Sequence, residues 1–153
     1  MVQLVLPNDA NTLGNVLGGM VLHWIDLAAA VVAHRHCRTE AVTASIDQVS
    51  FLAPIRVGQL AVITGRMTFA GRTSMEIRVD VQREDLLTGE RVQTSTAYLT
   101  FVSIDKRGRP RTVPPLLPET EEERREARHA EARRAGRLKA RAASPTKLER
   151  THR

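Results

Sequence analysis

A single carboxylate, Asp26, interrupts the apolar run Met20-Val21-Leu22-His23-Trp24-Ile25-Asp26-Leu27-Ala28-Ala29-Ala30-Val31-Val32-Ala33. A helix that is apolar on nearly every face reads as buried, and an ionised acid there is costly unless it has a partner or a task. Such a carboxylate can take a proton from water as a general base, or attack an electrophilic carbon directly. The nearest polar candidate to partner it is Asn15, on the turn Gly14-Asn15-Val16-Leu17-Gly18-Gly19 that leads into the run. Residue types alone leave a plainer reading open for each: Asp26 as a structural acid accepting a loop N–H, and Asn15 as an ordinary turn former. Gly14, Gly18 and Gly19 then serve only tight packing at the helix entry.

Other constellations carry less. His34-Arg35-His36-Cys37 has a metal-like composition, but histidines two apart on a helix point to different sides, so no metal site is expected. His23, one turn before Asp26, reads as a helix-face histidine, and Cys37 as a small core or boundary residue without an activating neighbourhood. There is no phosphate-loop motif and no Gly-x-Ser-x-Gly elbow, so serine-based hydrolysis is not supported. Two basic clusters remain, Arg72 with Thr73 and Ser74, and Arg109 with Arg111. Guanidinium groups suit phosphate oxygens, although a lone surface arginine is ordinarily just solvated.

The elements that would position these residues follow from periodicity and turn signals. Val2–Leu6 reads as a short strand, Pro7–Gly19 as a turn-rich loop, and Gly19–Cys37 as a helix. Four β-branched, alternating segments follow at Val42–Leu52, Gln59–Ala70, Thr73–Glu84 and Glu90–Ile104. Gly71-Arg72 and Leu87-Thr88-Gly89 are short enough to be hairpin turns, so the sheet is antiparallel and the class is α+β. A sheet of this kind has two free edges, which favours dimerisation through one of them. Ala28–Ala30 suggest room beside the helix for a bound chain.

The chain of 153 residues is long enough for one domain with a real core, which must be largely aliphatic because aromatic residues make up only 3%. No apolar run reaches the roughly 18 residues of a membrane span. Met1–Pro7 lacks the basic segment of a secretory signal, and the single cysteine allows no internal disulfide. The expectation is a cytoplasmic protein. Of the net charge of +6, little belongs to the body: residues 1–118 carry 12 basic and 10 acidic side chains, residues 119–153 carry 11 and 7. Residues 119–153 therefore read as a separate charged, Arg-rich tail, acids first and bases last as a helix dipole favours, and disordered after Ala143. Lacking interleaved aromatics or an apolar face, the tail is read as solvated, with no nucleic-acid or membrane partner.

In order and spacing, several stretches resemble the hotdog-fold acyl-CoA thioesterases of the cytosolic acyl-CoA hydrolase type. They are Pro7-Asn8-Asp9-Ala10-Asn11 with Gly14-Asn15-Val16 and Gly18-Gly19, Asp26, Asp47 through Ile55 with Val57-Gly58, Gly71-Arg72-Thr73-Ser74, and Phe101-Val102 followed by Gly108-Arg109-Pro110-Arg111. The resemblance runs from Leu6 to about Pro118 and does not cover the tail. It implies a hotdog domain over residues 1–118, a long central helix wrapped by a curved antiparallel sheet. It implies a homodimer with the active site between subunits, and assembly of dimers into a hexamer. Asp26 would be the base or nucleophile, with Asn15 from the opposite protomer as its partner and the Gly18 and Gly19 amides receiving the oxyanion. Arg72, Thr73, Ser74, Arg109 and Arg111 would bind coenzyme A, and no metal or dissociable cofactor is implied. Two further functions fit the same fold: a non-catalytic acyl-CoA sensor, and a hydratase or dehydratase of acyl thioesters, for which His23 is the only local histidine beside the acid.

Overall fold

The computed structural model describes residues 1–143, and the chain divides into two compact units, Met1–Leu116 and Leu117–Arg153. In the first unit β1 (Val2–Leu4) leads through a 3-10 turn at Pro7–Asp9 to α1 (Gly18–Cys37). Four strands follow: β2 (Glu40–Ile46), β3 (Leu60–Ala70), β4 (Ser74–Glu84) and β5 (Arg91–Ile104). They form one antiparallel sheet in the order β1-β3-β4-β5-β2.

Alternation in the long strands sends Ile63, Met75, Ile77, Val79, Val81, Ala97, Leu99 and Phe101 to one face. There they meet Val21, Trp24, Ile25, Ala28, Ala29 and Ala33 of α1, all buried. The helix lies so close to the sheet that a Cβ on Gly65 of β3 would come within 3.0 Å of the Val32 side chain and 3.5 Å of the Ala28 carbonyl oxygen. Ala28 and Ala29 are small because the sheet presses against them. The room expected beside these alanines is not there.

Three further expectations are corrected. The second long strand does not reach Leu52. It ends at Ile46, after a bulge between Thr43 and Ser45, and the next residues hold β5 by isolated bonds, Asp47 N to Tyr98 O (2.9 Å) and Leu52 N to Thr94 O (2.8 Å). Polarity alternation reports burial, and it continues through half-buried Val49 although the ladder has stopped. Similarly β1 stops at Leu4, with Val5 still bonded to Gln59 O before Pro7 ends the pairing. Nor is α1 buried all round: Leu27 is 44% and Val31 50% exposed, on the same side as exposed His23 and His34. One sheet can cover only one side of a helix.

The second unit contains α2 (Glu121–Ala143). The disorder expected after Ala143 lies outside the described residues. No described helix is long and apolar enough to cross a membrane.

Candidate active site

The turn before α1 is built by Asn11. Its carbonyl accepts the Gly14 N–H (2.9 Å), and its Oδ1 accepts the N–H groups of Leu13 (2.9 Å) and Asn15 (3.2 Å). This is the Asx-turn chemistry for which asparagine is suited. Gly14 closes the turn at φ +74°, where a side chain would be strained. Leu17 N to Asp9 O and Val16 N to Ile55 O, both 2.8 Å, then aim the chain into the helix.

The helix starts without a cap. Leu17 stands at the N-cap position and offers no side-chain acceptor. The Met20 and Val21 N–H groups turn back to Leu17 O (2.9 and 3.1 Å), while those of Gly18 and Gly19, first in the helix, have no intrahelical acceptor. Both glycines are exposed. A Cβ on Gly19 would meet nothing within 4 Å, and one on Gly18 would only touch the Phe51 ring at 3.6 Å. Packing within the chain therefore does not explain either glycine. Beside them opens a cleft of about 370 Å³ lined by Asn15, Gly18, Val21, Phe51, Leu52 and Ile55.

Asp26 is half-buried, two turns further along α1. Its Oδ1 accepts a hydrogen bond from Thr43 Oγ1 at 2.7 Å. Thr43 is exposed on β2, next to the bulge, and bulges commonly re-aim a side chain beside a functional group. Within one chain the aspartate is thus held by Thr43, and the cleft that takes Asn15 does not include Asp26. No local pattern marks Thr43; it lies 17 residues downstream, and only the return of β2 along α1 brings it close.

The two basic clusters come to one end of the sheet. Val113 N donates to Arg72 O (2.9 Å), Ser103 N to Thr73 O (3.0 Å) and Arg111 N to Ser103 O (2.9 Å), so the hairpin carrying Arg72, Thr73 and Ser74 borders the basic loop. That loop is organised by Asp105. Its carboxylate accepts the backbone N–H groups of Arg109 (2.9 Å) and Arg107 (2.8 Å), and the Arg109 Nε–H at 3.0 Å. These donors, the Arg109 amide foremost, hold the acid below its ordinary 3.8. Arg109 and Arg111 line a second cleft, of about 640 Å³, together with Arg38, Lys106 and Arg107. Arg72, Thr73 and Ser74 lie outside its lining. The glycine turn and this basic end are separated by the length of α1, roughly 30 Å.

A long helix laid along a curled antiparallel sheet of this order is the hotdog thioesterase fold. Residues 13–90 match the model of the thioesterase superfamily, and the chain belongs to that family. It is 45% identical over 119 residues to a Bacillus subtilis protein named as an uncharacterized acyl-CoA thioester hydrolase, covering 78% of this chain and 69% of that one. It is 41% identical over 127 residues to the mouse cytosolic acyl coenzyme A thioester hydrolase, covering 82% of this chain but only 33% of that longer protein. A crystal structure of a hexameric acyl-CoA thioesterase superposes with a TM-score of 0.89 at 45% identity, over 94% of this chain and 92% of that one. The Staphylococcus aureus acyl-CoA hydrolase, solved with butyryl coenzyme A and coenzyme A, superposes with a TM-score of 0.82 at 32% identity, over 94% and 90%. Variants of that enzyme with one aspartate, one asparagine or one threonine replaced by alanine have also been solved.

Proposed function

We propose that this protein hydrolyses acyl-CoA thioesters to the free acid and coenzyme A, with Asp26 as the group that acts on the carbonyl. The observation that carries this reading is a half-buried carboxylate on α1 held at one oxygen by Thr43 of the edge strand β2. Thr43 fixes Oδ1, and the other oxygen is left to take a proton from water as that water attacks the thioester carbon, or to attack the carbon itself. In either route the carbonyl oxygen becomes an oxyanion, the C–S bond breaks, and sulfur leaves to be protonated. After direct attack, water then hydrolyses the acyl-aspartyl anhydride, which frees the acid and restores Asp26. The unpaired Gly18 and Gly19 amides, at the positive end of the helix dipole, suit that oxyanion. The absence of a Cβ at either position lets a thioester approach the backbone. This sequence of steps uses no metal and no dissociable cofactor.

Asp26 and the glycine turn lie on different parts of α1, so one chain does not assemble both halves. In our reading a second copy completes the site. Among the described residues the outer edge of β2 has no partner strand, and Ile46 on β2 and Leu27 on α1 are exposed apolar residues. A dimer along this edge would bring the turn of one protomer to Asp26 of the other, and hexameric assembly would follow the similar structures. The cytosolic name of the mouse relative supports the same compartment here.

The partner amide from the turn is better assigned to Asn11 than to Asn15. In the Staphylococcus aureus hydrolase the replaced threonine follows the replaced aspartate by 17 positions, the interval from Asp26 to Thr43. The replaced asparagine precedes that aspartate by 15, and the same interval leads back from Asp26 to Asn11. With its Oδ1 engaged in the turn, Asn11 has its NH2 to offer a ligand.

Thiol release from acyl-CoAs between acetyl and palmitoyl tests the reading. Asp26→Ala should lose about a thousandfold in kcat while remaining folded, the scale of a missing general base. Asn11→Asp keeps the turn acceptor and removes the donor, so it should lose about a hundredfold, more than Asn15→Ala. Near-wild-type turnover by a folded Asp26→Ala protein would overturn the mechanism.

A further inference from the structure

Arg38 is the one non-glycine among the described residues with a positive φ, 54° with ψ 25°, and it ends α1 in the left-handed conformation. Glycine is the common occupant of such a position because it carries no Cβ penalty. The backbone task is performed, with Arg38 N donating to His34 O at 2.9 Å, but glycine would do it as well. The side chain is exposed and makes no hydrogen bond or ion pair among the described residues. A residue kept under strain, with no local contact to account for it, points to a role for its side chain.

That side chain lines the cleft of about 640 Å³ with Lys106, Arg107, Arg109 and Arg111, against two carboxylates, Glu40 and Asp105. Asp105 is engaged by its own loop and by Arg109, and Glu40 stands 3.7 Å from His34 Nε2. Lys106 and Arg107 are exposed and, like Arg38, without a side-chain partner among the described residues. The negative end of the α1 dipole disfavours an anion here, so binding one depends on these cations. Arg38 lies twelve residues beyond Asp26 on the same helix, roughly 18 Å along its axis, comparable to an extended phosphopantetheine arm. With the thioester at Asp26, the nucleotide end of coenzyme A reaches the cleft. Its 3′-phosphate is a monoester carrying about −1.5 to −2 charge at pH 7 and three exposed oxygens, the group best matched to several unpaired cations.

We propose that Arg38, Lys106 and Arg107 bind the 3′-phosphate of the substrate and so select coenzyme A thioesters over thioesters that lack it, an assignment that rests on the hydrolase reading above. The test compares an acyl-CoA with the same acyl-dephospho-CoA on the full chain. Arg38→Gly should raise KM for the acyl-CoA about tenfold, the scale of a lost charged hydrogen bond, while KM for the dephospho substrate stays unchanged. Because glycine suits the backbone, its Tm should equal or exceed that of the wild type. The double variant Lys106→Ala, Arg107→Ala should lower the preference in the same direction, and 0.5 M salt should weaken it in the wild type through screening (Debye length about 3 Å at 1 M).

Equal KM for the two substrates in the wild type would overturn the proposal. So would an Arg38→Gly protein with the preference intact, or one whose Tm falls while both KM values rise together. Were the wild type to release no thiol, the hydrolase reading would fail, and calorimetric titration with coenzyme A and dephospho-coenzyme A would judge the cleft separately. A 3′-phosphate preference lost in Arg38→Gly would then support the site, and equal binding would remove it.

Discussion

α2 opens on Thr120, whose Oγ1 accepts the Glu123 N–H at 3.1 Å, while the Glu123 carboxylate accepts the N–H groups of Thr120 (3.0 Å) and Glu119 (2.8 Å). This is a capping box, reinforced by Glu121 and Glu122 in the first turn. α1 opens on Leu17, Gly18 and Gly19, with no side-chain cap and no acid in the first turn. Leucine is a poor N-cap and glycine a poor helix former. The helix at the centre of the core thus has the weaker start, and the highly charged one the stronger. The difference is instructive because α1 is already held by its buried face and can leave its first amides open. α2 has no comparable apolar stripe in its sequence, and its first turns are held by local terms, the cap and the Arg124–Glu121 and Arg128–Glu121 ion pairs.

Giving α1 the kind of start that α2 has should break the contrast most severely. Leu17→Asp supplies an N-cap acceptor for the open Gly19 amide and should stabilise the protein by about 1 kcal/mol. It should also cost at least a hundredfold in thiol release, because the carboxylate occupies the Gly19 donor and sets a negative charge beside the oxyanion. A stabilised variant with full activity would show that this amide is not used.

Single-residue changes sharpen the comparison less drastically. Gly19→Ala has open space for its methyl group and should raise stability by about 0.5–1 kcal/mol, with about tenfold lower turnover from the obstructed approach. Thr120→Ala in α2 should lower local helix stability by about 1 kcal/mol and leave thiol release unaltered. Thermal melts and steady-state kinetics on the two variants would reveal whether stability and activity part in α1 alone.

The smallest effect is one of pH. Hydrogen bonds from the Thr120 and then the Glu119 amides hold Glu123 below its ordinary 4.5. Its contribution is therefore complete above about pH 4.5 and is lost as the pH falls through the lower folded value. Amide shifts of Glu119 and Thr120 should follow this titration, whereas those of Gly18 and Gly19, with no acid in their turn, should not.

Much of the framework was legible from the residues. α1, β3, β4 and β5 fall within a residue of the bounds that periodicity and turn signals imply, because each element has one buried face and a clear break at both ends. β2 ends short of the bound its sequence implies because alternation persists where pairing stops. In the site, Asp26 stood out as the one acid in an apolar helix, and Asn15 as the polar residue nearest in sequence. Thr43 and Arg38 gave no such signal. A threonine in a strand and an arginine after a helix are commonplace, and each acquires meaning only from what lies across from it.

The order of polar and apolar residues by itself determined the helix, the strands, the turn at Gly14 and the placing of one carboxylate in an apolar setting. These depend on local propensity and on which face must leave water. Tertiary structure alone decided that Thr43 holds Asp26, that Asn15 faces a cleft away from it, and that Arg38 joins the cations after β5. Contacts of this kind join residues far apart in the chain, and their geometry follows from how a helix settles on a twisted sheet.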